Sequence, residues 1–543
     1  MKRHFHMDIP VLVIGAGPVG LITALSLAEQ GVQSLIVERR TQRYGAPKAH
    51  AVNARTLEIC ERLGVSADHI RAEGASIEEG GLVHFMDVLN GQCFGALPYE
   101  RQDDAVRAFT PFPLTNIAQP KFEDALLAAL PDREAITLRR GATVVELTPH
   151  DDGVEATIAQ DDEEYIVRAQ YVVAADGAGS RTRTALGIDM HGPEALQSYM
   201  MIHFEADLRA LTSQHPGLLY FTLSPAHSGV FIGYDRGRTW VFMQSYDPNT
   251  QTIDDFGDAR CRELIEAAAG AALPDLTIQN ISPWTMSAQV AERYRADRVF
   301  LAGDAAHRFP PTGGLGLNTG AGDAQNIAWK LAQVLAGTAG DGLLDSYEGE
   351  RKPVAELNSE QSLTNSAKML HLFGALYGSD PAAQAERYAK ACRDPSQLPE
   401  IAAAVEIQRP HFDSLNLQIG YRYGAAVDPA TLDISDYQPS YEPGSYLPHV
   451  ATSDGTWLLG QLPGNAFSLV AGEQGDAWSK LDLPVAVAGR DFQPEQPWHK
   501  AADLNPDGAL LIRPDGHIAA RWESLPDNPE HAVNAALQQL LEA

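Results

Sequence analysis

Cysteine is scarce in this chain: Cys60, Cys93, Cys261 and Cys392 are the only four among 543 residues, and no two form a C-x-x-C pair. So sparse a set offers neither a redox dithiol nor a clustered zinc site, suits a reducing compartment, and gives no reason to expect a structural metal. Positive charge is also short. Lysine and arginine number 41 against 71 aspartates and glutamates, and the formal charge of −30 argues against a nucleic-acid partner or an anionic membrane surface. No apolar run approaches the roughly 20 residues that a bilayer-spanning helix needs. The amino-terminal M-K-R-H-F-H-M-D is basic, but the apolar run behind it is broken by Gly15 and Gly17 and does not read as a secretory leader. The expectation is a soluble, cytoplasmic protein. With 44% hydrophobic residues spread over this length, two or three domains should each bury a core of their own.

The densest motif runs over 299–332 as V-F-L-A-G-D-A-A-H-R-F-P-P-T-G-G-L-G-L-N-T-G-A-G-D-A-Q-N-I-A-W-K-L-A. An apolar strand ends at Gly303-Asp304, a Pro/Gly loop follows, and a helical pattern occupies 317–335. This order sets the amides of a helix N-terminus against something electron-rich. The chain opens in the same way: a strand over 9–14, then Gly15-Ala16-Gly17-Pro18-Val19-Gly20, a helix closing at Gly31, and a second strand over 34–37 that ends at Glu38. That is the dinucleotide fingerprint in its required setting, and Glu38 in place of an arginine points to an unphosphorylated adenosine ribose. A third apolar strand, 171–175, runs into Asp176-Gly177-Ala178-Gly179-Ser180-Arg181-Thr182-Arg183, where Asp176 or Ser180 can also serve simply as a helix cap. On pattern alone His50, ahead of a helix that ends at Gly64, is a surface-loop histidine. Gln119 is a polar cap or a donor to a ligand.

Composition divides the rest. Residues 198–284 alternate with period two and are rich in aromatic and sulfur side chains, the form of a mostly antiparallel sheet able to wall an apolar pocket. Long helical patterns run to about residue 405. A Pro/Tyr/Asp-rich stretch over 428–448 reads as a linker, and beyond it strands are expected near 457–459, 467–471, 485–487 and 509–512, with a turn at 514–516 and a helix over 529–541. The expected fold is α/β with an α+β insert: a Rossmann-type domain from 1–190 and 285–400, including part of the sheet near 75–115; a mixed-sheet substrate domain over 191–284; a linker over 401–447; and a last domain over 448–543.

With these motifs in view, the chain resembles the group A flavoprotein monooxygenases, the family of para-hydroxybenzoate hydroxylase and phenol hydroxylase. The match rests on G-A-G-P-V-G at Gly15, D-G-A-G-S-R-T-R at Asp176 and G-D-A-A-H-R-F-P-P-T-G-G-L-G-L-N at Gly303, in that order. Within the family, P-K-A-H-A-V-N-A-R-T-L-E-I and the carboxy-terminal extension look most like the chlorophenol, hydroxybiphenyl and aromatic polyketide hydroxylases. Their extra domain is thioredoxin-like without its cysteine pair, and the final domain here contains no cysteine.

The resemblance implies FAD as cofactor. Gly15, Gly17 and Gly20 would approach its pyrophosphate; Glu38, with Arg39 beside it, would meet the adenosine ribose; Arg55 and Gln119 would lie along the cofactor. Asp304 would contact the ribityl or pyrophosphate region, the amides of Gly316, Leu317 and Asn318 would face the pyrimidine edge, and Asp176 and Arg183 belong to a motif tied to both FAD and nicotinamide. Lys48, also expected at the cofactor, stands where the family commonly has arginine, so a point charge replaces a planar fork there. With a single Rossmann fingerprint, NADPH or NADH has no domain of its own and would visit transiently.

The implied reaction is reduction of FAD by NAD(P)H, reaction with O2 to a flavin hydroperoxide, and oxygen transfer to a small phenolic ring, usually ortho to its hydroxyl. His50 would be the general base, with His307 a structural rival, and Pro311 and Gly314 would shape the active face of the flavin. The alternatives are epoxidation, Baeyer–Villiger insertion or oxidative decarboxylation of a polycyclic or polyketide substrate with the same cofactor, or a non-catalytic binding protein on the same fold. Absence of W-x-W-x-I-P speaks against a related halogenase. The last domain is expected to act either as a cap or as the surface of a homodimer.

Overall fold

The computed structural model describes residues 6–542 apart from 44, 47, 430, 453, 454 and 495. The basic amino terminus and Pro47 of the histidine loop therefore lie outside the described residues.

Three apolar strands, His6–Ile14, Glu163–Ala174 and Val299–Leu301, lie side by side in parallel, with Ser34–Glu38 and Ile136–Arg140 continuing the sheet on the other flank. All five carboxyl ends thus point the same way, and each of the three glycine motifs falls at the same edge. That edge of an open α/β sheet is where ligands bind. Helices Pro18–Glu29 and Leu315–Leu335 cover one face, burying Val11, Val13, Leu21, Leu25, Ala324 and Ile327. The other face is covered by the antiparallel strands Ala142–His150 and Gly153–Gln160 in place of helices.

The second sheet has seven strands in the order Thr277–Met286, Gln197–Glu205, Thr239–Tyr246, Gly229–Asp235, Leu219–Thr222, Leu82–Met86 and Cys93–Pro98. Every pairing is antiparallel except that of Leu219–Thr222 with Leu82–Met86. Two of its strands come from the first hundred residues, a stretch that the sequence reading groups with the nucleotide domain. Period-two alternation splits its residues cleanly. Met86, Tyr220, Phe231 and Trp240 pack against helix Asp258–Ala269, while Val83, Phe85, Phe221 and Met243 face helices Gln384–Arg393 and Leu398–Glu406.

Residues 401–447, expected as a linker, are packed rather than extended: Leu415, Leu417, Ile419, Tyr423, Ile434 and Tyr437 are all buried. In the last domain the sheet order is Val485–Val487, Ser468–Ala471, Ala509–Ile512, Ile518–Trp522, the first pair parallel and the rest antiparallel, with helix Pro529–Leu541 closing it. This is the thioredoxin-like arrangement. Two details differ from expectation. The apolar residues at 457–459 enter a helical turn, Leu458–Gln461, since a short apolar run suits either state. The strand Ile518–Trp522 has no counterpart in the sequence pattern because only Ile518 of its five residues is fully buried, which leaves no alternation.

The last domain is locked onto the back of helix Leu315–Leu335. Trp329 Nε1 donates to Asp515 Oδ2 at 3.0 Å, and Glu350 accepts from both Arg513, at 2.6 Å, and Lys330, at 2.7 Å. None of the helices among the described residues is long and apolar enough to cross a membrane.

Candidate active site

The first glycine loop follows from backbone geometry. Gly15 has φ +105°, and a Cβ there would collide with the carbonyl oxygen of Ala175; a Cβ on Gly20 would collide with the carbonyl oxygen of Gly15. Both glycines therefore serve close packing of protein on protein. Gly17 alone of the three has nothing within 4 Å of where a Cβ would stand, and it caps helix Pro18–Glu29 without a side-chain partner. Open space in front of an uncapped helix N-terminus is what a diphosphate requires. Glu38 Oε2 accepts from the amide of Ala16 at 2.9 Å and Oε1 from that of Arg40 at 2.8 Å, which pins the carboxylate beside the loop. Arg39 is exposed next to it.

The third glycine motif faces the first. Gly303, at φ +61°, lets the chain pass close to Val19, and the Asp304 side chain opens into the cleft. Its Oδ1 lies 4.0 Å from where a Cβ on Gly316 would stand, so the carboxylate and the first turn of helix Leu315–Leu335 border one space. Surrounding protein pushes the Asp304 carboxyl up, against the pull of His307, Lys48 and Arg308. On the second motif Asp176 Oδ2 accepts from the Thr182 amide at 3.1 Å, while its Oδ1 is buried with no partner. An open glycine, two uncapped helix ends and an orphaned carboxylate oxygen fit a cofactor with a diphosphate and a polyhydroxyl chain.

Asn318 holds this edge together. Its Oδ1 accepts from the Asn53 amide at 3.0 Å and the Thr56 hydroxyl at 2.7 Å, and its Nδ2 donates to the carbonyls of Ala51 at 3.0 Å and Gly314 at 2.7 Å. All four bonds of the side chain are spent inside the protein. The amides of Gly316 and Leu317, in the first turn behind the Gly314 cap, have no carbonyl of the helix to bond. Gly314, at φ +63°, stands so close to Ala51 that a Cβ would come within 2.9 Å of that methyl; its amide donates to the carbonyl of Pro311, whose ring is exposed.

His50 is thereby brought to the same edge, one residue from Ala51. Its carbonyl accepts from the Ile117 amide, Gln119 bonds the Ala49 backbone through both its amide and its Oε1, and Gln119 Nε2 donates to Glu123 at 2.8 Å. The imidazole Nδ1 lies 3.0 Å from Asn116 Oδ1, and Asn116 Nδ2 in turn donates to the Gly80 carbonyl at 3.1 Å. The amide orientation is thus set from outside, and it requires a proton on Nδ1. Nε2 is left with its lone pair. Burial holds the His50 imidazolium below its ordinary range, with Asn116 opposing. Tyr99 lies 5.5 Å away between ring centres, and Tyr234 meets the imidazole edge-on at 6.1 Å with its buried hydroxyl unpartnered.

The other histidine is closed in. His307 is fully buried, and its Nε2 lies 2.7 Å from Asp323 Oδ2, which also accepts from the Gly303 amide; Asp323 Oδ1 accepts from Arg351 Nε at 2.8 Å.

Two expected cofactor residues stand apart from this edge. Arg55 is turned the other way: it pairs with Glu58 at 2.5 Å, donates to the Ile419 carbonyl at 3.1 Å and lies 3.1 Å over the ring of Tyr446. The guanidinium of Arg183 bonds the Ile188 carbonyl at 2.8 Å. Asn116, Tyr99 and Tyr234 carry no signal in the sequence, since nothing local distinguishes them from core residues.

Comparison with known proteins agrees with this geometry. Residues 8–362 match the family described as FAD binding domain, and residues 440–543 match aromatic-ring hydroxylase, C-terminal. The chain is 34% identical to aklavinone 12-hydroxylase RdmE of Streptomyces purpurascens, covering 98% of this chain and 99% of that one. It is 33% identical to 4-methyl-5-nitrocatechol 5-monooxygenase of a Burkholderia species, covering 98% of each. Among solved structures, the flavin-dependent monooxygenase PieE in complex with FAD and substrate superposes with a TM-score of 0.89 at 30% identity, over 98% of this chain and 99% of that one. With its three glycine motifs on one sheet edge and a thioredoxin-like domain behind them, this chain belongs to the FAD-dependent aromatic-ring hydroxylases.

Proposed function

We propose that the enzyme hydroxylates a phenolic ring ortho to its hydroxyl, and that His50 takes the hydroxyl proton. The observation that supports this is the fixed tautomer: Gly80 orients Asn116, Asn116 holds the proton on Nδ1, and Nε2 keeps its lone pair on a ring that Tyr99 and Tyr234 pack against. FAD, reduced by NAD(P)H, supplies the activated oxygen. Gly17 and the uncapped helix behind it would hold the diphosphate, Glu38 with Arg39 the adenosine ribose, Asp304, Asp176 and Lys48 the middle of the cofactor, and the amides of Gly316, Leu317 and Asn318 the flavin edge.

A phenol has a pKa near 10, well above the ordinary histidine range, and burial lowers the His50 imidazole further, so the proton transfer is uphill. Attraction between imidazolium and phenolate, screened less in a site shielded from water, would offset part of this. The unpartnered Tyr234 hydroxyl is the donor within the cluster for the phenolate oxygen. Rings made acidic by electron-withdrawing groups should therefore react best.

A second reading, the same chemistry on a polycyclic or polyketide ring, is favoured by the sheet face above the cleft. Tyr199, Met201, Phe221, Val230 and Trp284 are only partly buried there, and Tyr199 stacks on Trp284 at 5.6 Å. The named relatives include an aklavinone hydroxylase as well as a nitrocatechol monooxygenase. The last domain acts as a cap in this reading, and a homodimer built on its outer surface is tested by sedimentation velocity.

The deciding experiment is anaerobic mixing of the FAD-loaded protein with NADH or NADPH across a panel of phenols, followed by flavin absorbance. Sharp acceleration of bleaching by one phenol class supports the first reading. A flavin left oxidised with every phenol and both nucleotides rejects it in favour of larger rings.

A further inference from the structure

We propose that His84, Cys93 and His215 form a binding site for a borderline-soft divalent metal ion of the zinc type, on the face of the seven-stranded sheet turned away from the flavin edge. The three residues come from three separate segments: strand Leu82–Met86, the first position of strand Cys93–Pro98, and the loop before strand Leu219–Thr222. Each offers one ligand atom such that all three atoms lie within 4.8 Å of one another, the one such group among the described residues. Two imidazoles and a thiolate are a donor set that suits zinc and leaves a fourth position for water.

His84 is only 3% exposed. Its Nε2 lies 2.9 Å from the Pro216 carbonyl, which requires the proton there, and its Nδ1 is buried with no partner. A ligating histidine whose second nitrogen donates to a backbone carbonyl is the usual way a protein aims such a ring at a metal. The ring is held flat by Tyr220, stacked at 5.3 Å with a 20° tilt, whose hydroxyl donates to the carbonyls of His215, at 2.9 Å, and Gly217, at 3.1 Å. A Cβ at Gly217 would come within 2.7 Å of the His84 ring, so glycine is what lets the loop close over it. Cys93 Sγ lies 3.4 Å from the Gly95 carbonyl, a contact a thiolate would release.

Tetrahedral ligands at about 2.0 to 2.3 Å from zinc stand about 3.3 to 3.8 Å apart, so the cluster needs to contract by about an ångström, within the reach of side-chain rotation. The site spans the sheet's parallel pairing, Leu82–Met86 with Leu219–Thr222, which no hairpin joins. A metal clip between residues 93 and 215 would close that long loop. Scarce, dispersed cysteines concealed it in the sequence because its ligands meet only through sheet pairing.

The test uses the full-length, FAD-loaded protein stripped with a chelator and titrated with Co(II), read at wavelengths red of the flavin absorption. The expected result is intense tetrahedral Co(II) bands at one equivalent, displaced by Zn(II), lost in Cys93→Ser and weakened at least tenfold in His215→Gln. Flavin content reports that both variants fold. Absence of the bands in the unaltered protein, or bands that either variant leaves unchanged, overturns the proposal.

Discussion

Two polar clusters flank the start of helix Leu315–Leu335, and each contains a histidine with one bonded ring nitrogen. Around His307, Asp323 gathers an imidazole, a guanidinium and a backbone amide, and nothing in the cluster meets solvent. Around His50 the partner is a neutral amide, the imidazole is half-buried, its second nitrogen has no bond among the described residues, and two tyrosine rings lie 5.5 and 6.1 Å from it between centres. A buried carboxylate makes a histidine part of the scaffold when its charges are all paired inside. An amide partner fixes the tautomer without charging the ring, and so leaves a base to be used. The difference lies in the partner and the access, since both rings carry one hydrogen bond of ordinary length.

The comparison can be broken most heavily from the closed side. Asp323→Leu strands the guanidinium of Arg351 in the interior and should cost about 3–5 kcal/mol, read as a fall in the thermal midpoint and loss of FAD-loaded soluble protein. Burial pushes the Asp323 carboxyl up, but His307 and Arg351 pull it further down, so its net shift is downward. Its stabilising contribution is therefore present above the ordinary carboxylate range and lost as pH falls through the lowered value. Unfolding followed from pH 7 to pH 3 should show acid sensitivity that Asp323→Leu lacks.

On the open side, His50→Gln should keep stability within about 0.5 kcal/mol and lower kcat by about 10² to 10³, with a smaller loss on acidic phenols. An equal loss across phenols of every acidity would remove His50 as the base. Asn116→Leu sharpens the point. The amide raises the His50 pKa against burial, so its removal lowers that pKa further. Activity in the unaltered enzyme should rise with pH through a value below the ordinary histidine range and then level off. In the variant the rising limb should move to lower pH while the plateau drops about tenfold. The smallest effect belongs to Tyr234→Phe, which removes an unpartnered hydroxyl: kcat/KM should fall about three- to tenfold with no loss of stability, and a stability loss without a kinetic one would make Tyr234 a packing residue.

The fold was legible wherever glycine and periodicity coincide. Gly15, Gly20, Gly303 and Gly314 each mark a point where backbone meets backbone or a methyl group, and the elements around them fall where the pattern sets them. Legibility failed where a residue's meaning lies in a distant partner. Arg55 sits in a recognisable motif, yet its direction is decided by Tyr446 and Ile419, hundreds of residues away. His50 looked like a loop residue because Asn116, which fixes its proton, stands 66 positions downstream. The Trp457 region misled for a local reason: a short apolar run carries no period.

The four bonds of Asn318 have one more consequence. They fasten Ala51, Asn53 and Thr56 to the turn that would bear the flavin edge, so the proposed base and the proposed cofactor seat are tied to one another, while the aromatic wall above belongs to another sheet. Under the proposed roles, substitutions on that wall would exchange one substrate for another without retuning the distance between proton acceptor and oxidant. Such a division lets a lineage diversify its chemistry on new rings while inheriting its reactive geometry intact.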